Sequence, residues 1–311
     1  MSARPSIAIL GPGGVGGLLA AALTRAGARV TVVAREETAV LIARAGIAVE
    51  SAVLGDFTAR PQAVARLVEP VDVLVVATKA AALADALARV DAVPPAQPAI
   101  VVPLLNGFDH MALLRERFPG RVAAGTIRVQ ANRPAAGRIV QTSSFLFVEL
   151  TSDDPALRPA LAALGAALAD AGVETRVSED KSEARILWGK LVRLSALACM
   201  TTAYDAPFGA IRSDPARWAE LEACVREGVA VAHAEGAEVD PAAVFGEFAA
   251  IHDGFGTSMQ RDVAAGREPE LDAIAGAVLR AGARHGIACP TVASLAARIA
   301  ERAGVPAPAA A

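Results

Sequence analysis

Aromatic residues make up only 4% of this 311-residue chain, with two tryptophans and one tyrosine, so its interior has to be assembled from the alanine, valine and leucine that dominate its 54% hydrophobic content. Side chains of that kind suit close helix packing and parallel strands buried on both faces, which predicts an α/β architecture. Cysteine is sparse as well. Cys199, Cys224 and Cys289 lie far apart, with no CxxC or Cys/His ligand spacing, which excludes a disulfide framework and a zinc site and fits a reducing cytosol. An isolated cysteine such as Cys199 reads as a small buried apolar residue rather than a nucleophile. Neither sign of charge dominates: 30 basic residues face 33 acidic ones, for a net charge of -3, and no long block of one sign is present. Nucleic acid therefore has no electrostatic footprint to meet. Residues 6–24 are free of charge, but the stretch Gly11-Pro12-Gly13-Gly14-Val15-Gly16-Gly17 would break a spanning helix where its backbone hydrogen bonds must be continuous. No membrane partner is expected, and the expected location is cytoplasmic.

The length predicts about two domains. In the first half, short apolar runs alternate with helical stretches: residues 7–10, a helix over 18–26, residues 30–34, then a polar loop. That alternation predicts βαβ units and a parallel sheet, an N-terminal Rossmann dinucleotide-binding domain. Residues 73–77 and 100–103 read as further buried strands, and 122–127, 138–141 and 145–149 as strands that continue the same sheet. Beyond about Asp180, β-branched runs vanish and apolar residues recur at helical spacing, predicting a C-terminal all-helical domain. The expected division is 1–180 and 181–311. Asp214-Pro215 and Asp240-Pro241 each set a cap residue before a proline at the first helical position, Gly236 and Gly286 close two helices, and the stripe of Leu271, Ile274 and Val278 puts Glu270 near a helix start.

Gly11-x-Gly13-x-x-Gly16 follows the first strand and opens an alanine-rich helix. Gly11 permits a tight turn, Gly13 lets the backbone approach a pyrophosphate, Gly16 lets helix and strand pack closely, and the helix N-terminal amides face the phosphates. At the end of the second strand stands Arg35. An acidic residue there would bond the adenosine ribose and an arginine pairs with a 2′-phosphate, so NADP is preferred, while the adjacent Glu36 and Glu37 keep NAD open. Thr78-Lys79 and Leu105-Asn106-Gly107 follow successive strands, at the ends where ligands bind in open parallel sheets. In the helical half, Lys190 of Trp188-Gly189-Lys190 sits between apolar neighbours. By spacing alone it reads as a lysine snorkelling from a helix face, although a lysine partly withdrawn from water is also easier to deprotonate.

In order and spacing, GPGGVGG, the TKA and LNG turns, WGKL, TSMQRD, PELD and IAG resemble the ketopantoate reductase (2-dehydropantoate 2-reductase) family over nearly the whole chain. The resemblance implies an oxidoreductase acting on CH-OH groups in pantothenate biosynthesis: NADP(H)-dependent reduction of the 2-oxo acid ketopantoate to pantoate. It makes Lys190 the catalytic lysine that protonates the ketone oxygen and Glu270 its acidic catalytic partner. It makes Ser258 a substrate-binding hydroxyl and Asn106 an amide that contacts substrate and cofactor. Cofactor positions would be Gly11, Pro12, Gly13, Gly14, Val15, Gly16, Arg35, Lys79, Asn106, Ala124 and Glu270, with the site between the two domains; no metal is implied. Members are often dimers, so a homodimer is carried by the resemblance alone.

Family members typically place asparagines four, eight and eighteen residues after the lysine, where this chain has Leu194, Ala198 and Phe208. Losing three amides reshapes substrate choice and admits a less polar 2-oxo acid. Two rival readings share the domain pattern. A 3-hydroxyacid or 6-phosphogluconate-type dehydrogenase would need clustered basic residues for a substrate phosphate, which are missing. A non-catalytic NADP-sensing protein is supported by the altered amide positions and opposed by the joint presence of Lys190, Ser258 and Glu270.

Overall fold

A computed structural model describes residues 5–90 and 97–309. The chain divides into two compact units, one formed by the residues up to Leu105 with His110–Glu183, the other by Asn106–Asp109 with Ala184 onward. The expected division at 180/181 puts residues 106–109 in the first unit; the structure groups them with the second.

In the first unit the elements run β1 (Ser6–Leu10), α1 (Gly14–Arg25), β2 (Arg29–Val33), α2 (Glu36–Ala45), β3 (Ile47–Ser51), β4 (Phe57–Ala59), β5 (Gln62–Val64), β6 (Val73–Val76), α3 (Leu83–Leu87), β7 (Ile100–Pro103) and α4 (His110–Arg117). There follow β8 (Ala124–Arg128), β9 (Ala131–Ala135), β10 (Arg138–Gln141), β11 (Phe147–Thr151), α5 (Arg158–Asp170) and β12 (Glu174–Val177). A parallel five-stranded sheet has the order β5-β2-β1-β6-β7, so the chain winds outward in one direction from β1 through β2 and in the other from β6. The carboxyl end of β1 is therefore the point where strand order reverses, the place at which such sheets take ligands.

Two expectations are corrected. The polar loop expected after residue 34 is α2, which begins at Glu36 with Arg35 as its N-cap residue. Nor do the later strands continue the parallel sheet: β10 joins a second sheet of order β4-β3-β10-β9, while β8 and β11 form a third with β12. Sequence periodicity identifies a strand but carries no information about which strand it pairs with. An isolated parallel bridge between Val101 and Val122 leads from β7 toward β8. Helix α1 explains the apolar stretch at residues 6–24. Every residue from Gly16 to Leu23 is buried, Gly14 lies against Ala131 of β9 and Gly17 against Ile139 of β10, so the helix is covered all round and is apolar all round.

In the second unit come α6 (Glu183–Tyr204), α7 (Phe208–Arg212), α8 (Pro215–Ala234), α9 (Pro241–Ala249), α10 (Ser258–Ala264), a π-helical turn (Asp272–Gly276), α11 (Ala277–Arg284) and α12 (Pro290–Ala303), the helical half that the sequence predicts. Asp214 Oδ1 accepts from the amides of Ala216 and Arg217 at 2.9 and 3.2 Å, and Asp240 Oδ1 from that of Ala242 at 2.8 Å, so both expected caps form. Gly236 and Gly286 follow α8 and α11 as expected. Among the described residues one helix, α6, is long and apolar enough to cross a membrane, and 72% of its apolar window is buried inside the protein. Trp188, Leu191, Val192, Ala196 and Met200 carry it into the core of the unit, which is the ordinary fate of a central helix.

Candidate functional site

At the end of β1 the backbone turns sharply: Gly11 has φ +92°, its amide donates to Val33 O at 3.1 Å, and the Gly13 amide donates back to Gly11 O at 2.8 Å. A side chain on Gly11 would also lie 2.7 Å from Thr78 Cγ2. A Cβ on Gly16 would collide with the Gly11 carbonyl oxygen and lie 3.0 Å from Ala77 Cβ, so its absence is what lets α1 sit against the strand ends. Gly13 is different. Its would-be Cβ meets nothing nearer than Ala77 O at 4.0 Å, leaving open space above the N-cap of α1. Beneath that opening are the first-turn amides of α1, with no acidic residue in the turn to repel an anion. Beside it Thr78 Oγ1 is buried without a hydrogen-bond partner. A turn open at one glycine, closed at the other two and flanked by an orphaned hydroxyl fits the pyrophosphate of a dinucleotide. Pro12 is buried and Val15 half-buried within the same turn.

Arg35 is exposed at the end of β2 and, with Glu36, Glu37, Val40 and Arg89, rims a shallow depression. Lys79 is exposed one residue after Thr78, at the start of a short 3₁₀ turn, Ala80–Ala82. Ala124 opens β8 with its side chain fully buried, paired to Thr151 of β11.

The second unit holds the remaining predicted residues. Lys190 is half-buried on α6, next to Gly189, above which nothing lies within 4 Å. Leu194, one turn on, is half-buried too, but Ala198 is 1% and Phe208 0% exposed. Phe208 packs between Phe248 and Trp218, with ring centroids 5.7 and 6.4 Å away. Two of the three positions expected to shape substrate choice are therefore core positions here, where an amide would be costly without a partner. Ser258 is the exposed first residue of α10. Its helix is held to α6 by Thr257, whose Oγ1 lies 2.9 Å from Thr201 Oγ1 while capping the Gln260 amide at 3.3 Å.

Asn106 and Glu270 meet directly, Nδ2 donating to Oε2 at 3.0 Å. Glu270 lies two residues before the π-helical turn, a device recurrent at functional sites because its wider register re-aims side chains. Sequence reasoning placed both residues but missed what holds them. Arg280 bonds Asp109 and Asp272, and Phe108 packs on the buried Trp188 at 5.6 Å between ring centroids. It also missed Arg261, one turn after Ser258. Its Nη1 donates to Gly256 O at 2.9 Å, its Nε is buried without a partner, and desolvation pulls its pKa below the ordinary arginine value. An arginine three residues after a serine is visible in the sequence; that the donor is buried is not.

The three cysteines are all buried. Burial pushes the Cys199 thiol up to about 12, far from the thiolate form that nucleophilic chemistry needs. Among the described residues no group of three or more His, Cys, Asp or Glu side chains is placed to hold a metal ion.

The family described as "Ketopantoate reductase PanE/ApbA" matches residues 7–148, and its C-terminal region residues 184–303. The chain is 33% identical over 297 residues to a 2-dehydropantoate 2-reductase of Caulobacter vibrioides, covering 92% of this chain and 94% of that protein. Among solved structures, a PanE/ApbA family ketopantoate reductase from Ralstonia eutropha JMP134 superposes with a TM-score of 0.82 at 25% identity, covering 96% of this chain and 98% of that one. D-mandelate dehydrogenase in its ternary structure with NADH and anilino(oxo)acetate shares the fold, with a TM-score of 0.86 at 21% identity over 96% of this chain and 98% of that one. With both halves of the chain matched in order, and a relative one-third identical along nearly its whole length, this protein belongs to the ketopantoate reductase family of oxidoreductases.

Proposed function

We propose that this protein reduces the ketone of a small 2-oxo acid with NADPH in the cytoplasm, and that ketopantoate, yielding pantoate, is its default substrate. The observation that carries the proposal is the Asn106–Glu270 hydrogen bond, an amide and a carboxylate 164 positions apart in sequence joined in one polar pair. The turn from Gly11 to Gly16 would hold the dinucleotide, which when bound would supply hydride for the carbonyl carbon. The Lys190 ammonium donates a proton to the ketone oxygen; Glu270 accepts a hydrogen bond from the hydroxyl so formed, its other oxygen staying with Asn106. Ser258 and Asn106 orient the acid. Arg35, at the strand end where a ribose 2′-phosphate would lie, supports NADP over NAD, and Lys79 adds a second positive charge at the carboxyl end of the same sheet.

A less polar substrate is favoured by one observation: Leu194 is half-buried one turn after Lys190, where an amide is expected. The test is a panel of 2-oxo acids containing ketopantoate, branched aliphatic acids and an aryl acid, the last because a structural neighbour is a mandelate dehydrogenase. Each is assayed with NADPH and NADH by cofactor absorbance. The expected result is consumption of NADPH with at least one member and weaker use of NADH. Failure of every acid to oxidise either cofactor would overturn the reading. Lys190→Ala is expected to lower turnover by at least about a hundredfold while leaving NADPH affinity nearly intact; lost cofactor binding with normal residual turnover would remove lysine from the role given it here.

A further inference from the structure

Residues 106–109 are inserted in the chain between two stretches of the first unit yet belong to the second, and each of the four has its own anchor there. Asn106 bonds Glu270. Gly107, at φ +88°, lies so close to the π-helical turn that a Cβ would collide with the Ala273 carbonyl oxygen. Phe108 packs on Trp188, which is fully buried. Asp109 is gripped by Arg280, whose Nη2 and Nε donate to one carboxylate oxygen at 2.7 and 3.1 Å.

Arg280 does a second task with the rest of its fork. Nη1 donates to Asp272 Oδ1 at 2.7 Å, and Nη2 to the backbone carbonyl of Asp272 at 3.0 Å. The guanidinium thus bonds both the side chain and the backbone of the residue that opens the π-helical turn. Gly276 leaves the room: a side chain there would sit 2.8 Å from Asp272 Oδ1 and 2.9 Å from Arg280 Nη1. One planar cation thus ties Asp109, at the far end of the 106–109 segment, to the first residue of the π-helical turn, while Asn106, at the near end of that segment, bonds Glu270 two residues before the turn. Lysine, a point donor, cannot make both sets of contacts at once.

We propose that Arg280 is a positioning residue that holds Asn106 against Glu270 by clamping residues 106–109 to the π-helical turn. The functional consequence rests on the reading that Asn106 and Glu270 serve the reduction; the clamp itself does not. Trp188 and Trp218 are the two tryptophans of the chain, so a Trp218→Phe background leaves Trp188 as the sole emitter and makes it a reporter of the Phe108 contact. In that background the full-length variants Arg280→Ala, Arg280→Lys and Asp109→Asn are compared with their parent by acrylamide quenching of Trp188, by thermal melting, and by kcat and KM with NADPH and the best 2-oxo acid of the panel.

Arg280→Ala is expected to raise the quenching constant at least twofold and lower kcat at least tenfold, with KM for NADPH within twofold and melting still cooperative. Asp109→Asn is expected to move both readouts in the same direction by less, and Arg280→Lys to recover only part of the loss. Unchanged Trp188 quenching in both Arg280→Ala and Asp109→Asn would overturn the clamp. Raised quenching with kcat held within twofold would overturn its positioning role. Should Arg280→Ala fail to fold, Asp109→Asn decides by the same criteria. A parent that reduces no 2-oxo acid refutes the functional reading instead, and the quenching comparison still tests the clamp.

Discussion

The Asn106 amide donates to Glu270 Oε2 at 3.0 Å across 164 positions of sequence. Such a contact sets the direction of both side chains: with one carboxylate oxygen engaged by the amide, the other is left to face a partner. A hydrogen bond to a charged group contributes about 1.5–3 kcal/mol.

Asn106→Ala is therefore expected to lower kcat/KM for the 2-oxo acid by roughly one to two orders of magnitude, while Asn106→Asp, placing two carboxylates together, loses more. Steady-state kinetics of the two variants side by side provides the check, and equal, small losses would show that the pair is not needed for the reduction.

The glycine turn offers a sharper contrast. Gly13→Ala meets open space at φ -74°, a conformation any residue adopts, so the protein should melt within a few degrees of the parent while NADPH affinity drops at least about tenfold. Gly16→Ala drives a methyl into the Gly11 carbonyl and should cost about 1–3 kcal/mol of stability, or roughly 2–10 °C in Tm. Calorimetry and cofactor titration of both variants separate a binding glycine from a packing glycine.

Acid stability should depend on Asp72. Its Oδ2 accepts from the Ser6 amide at 2.7 Å and the Ser6 hydroxyl at 2.8 Å, and these bonds to the charged form hold its pKa below the ordinary 3.8. A carboxyl with a depressed folded pKa contributes stability that is present above the unfolded value and is lost as pH falls through the folded one. Chemical unfolding of the parent should thus weaken below about pH 3.8, and Asp72→Asn should be less stable at pH 7 with a flatter acid limb. Because the group is largely exposed, the effect is small, and parallel acid limbs would exclude it.

Thiol reagents give a fourth check. With Cys199 held at about 12 and Cys289 at about 11 by burial, and Cys224 well above its ordinary value, native protein should resist iodoacetamide at pH 8, whereas all three thiols label in denaturant. Rapid labelling of one native thiol, followed by mass spectrometry, would contradict the buried placement of that residue.

Much of the site could be read before any coordinates, for local reasons. The three glycines occupy one turn, and turn geometry, open approach and helix packing are each decided within about six residues, so spacing alone reports them. The Asp-Pro helix starts are similarly short-range. Phe208 shows where that kind of reading stops. Its departure from asparagine suggests a change in the substrate site, but whether a residue 18 positions after a lysine faces substrate or core depends on how α6 and α7 pack, and Phe208 is wholly in the core. The strands β8, β10 and β11 were visible as strands while their sheets were not, since pairing is a long-range choice.

By itself the amino-acid sequence determined the two-part plan, a parallel-sheet half and a helical half, together with the glycine turn, because periodicity and turn chemistry act over a few residues. Tertiary structure alone decided that residues 106–109 pack with the helical unit, that Asn106 reaches Glu270, and that Arg280 grips both Asp109 and Asp272. The Asn106–Glu270 and Asp109–Arg280 contacts join positions 164 and 171 apart, and only the folded chain, having met the entropy of closing such loops through its hydrophobic core, brings their polar groups within bonding distance.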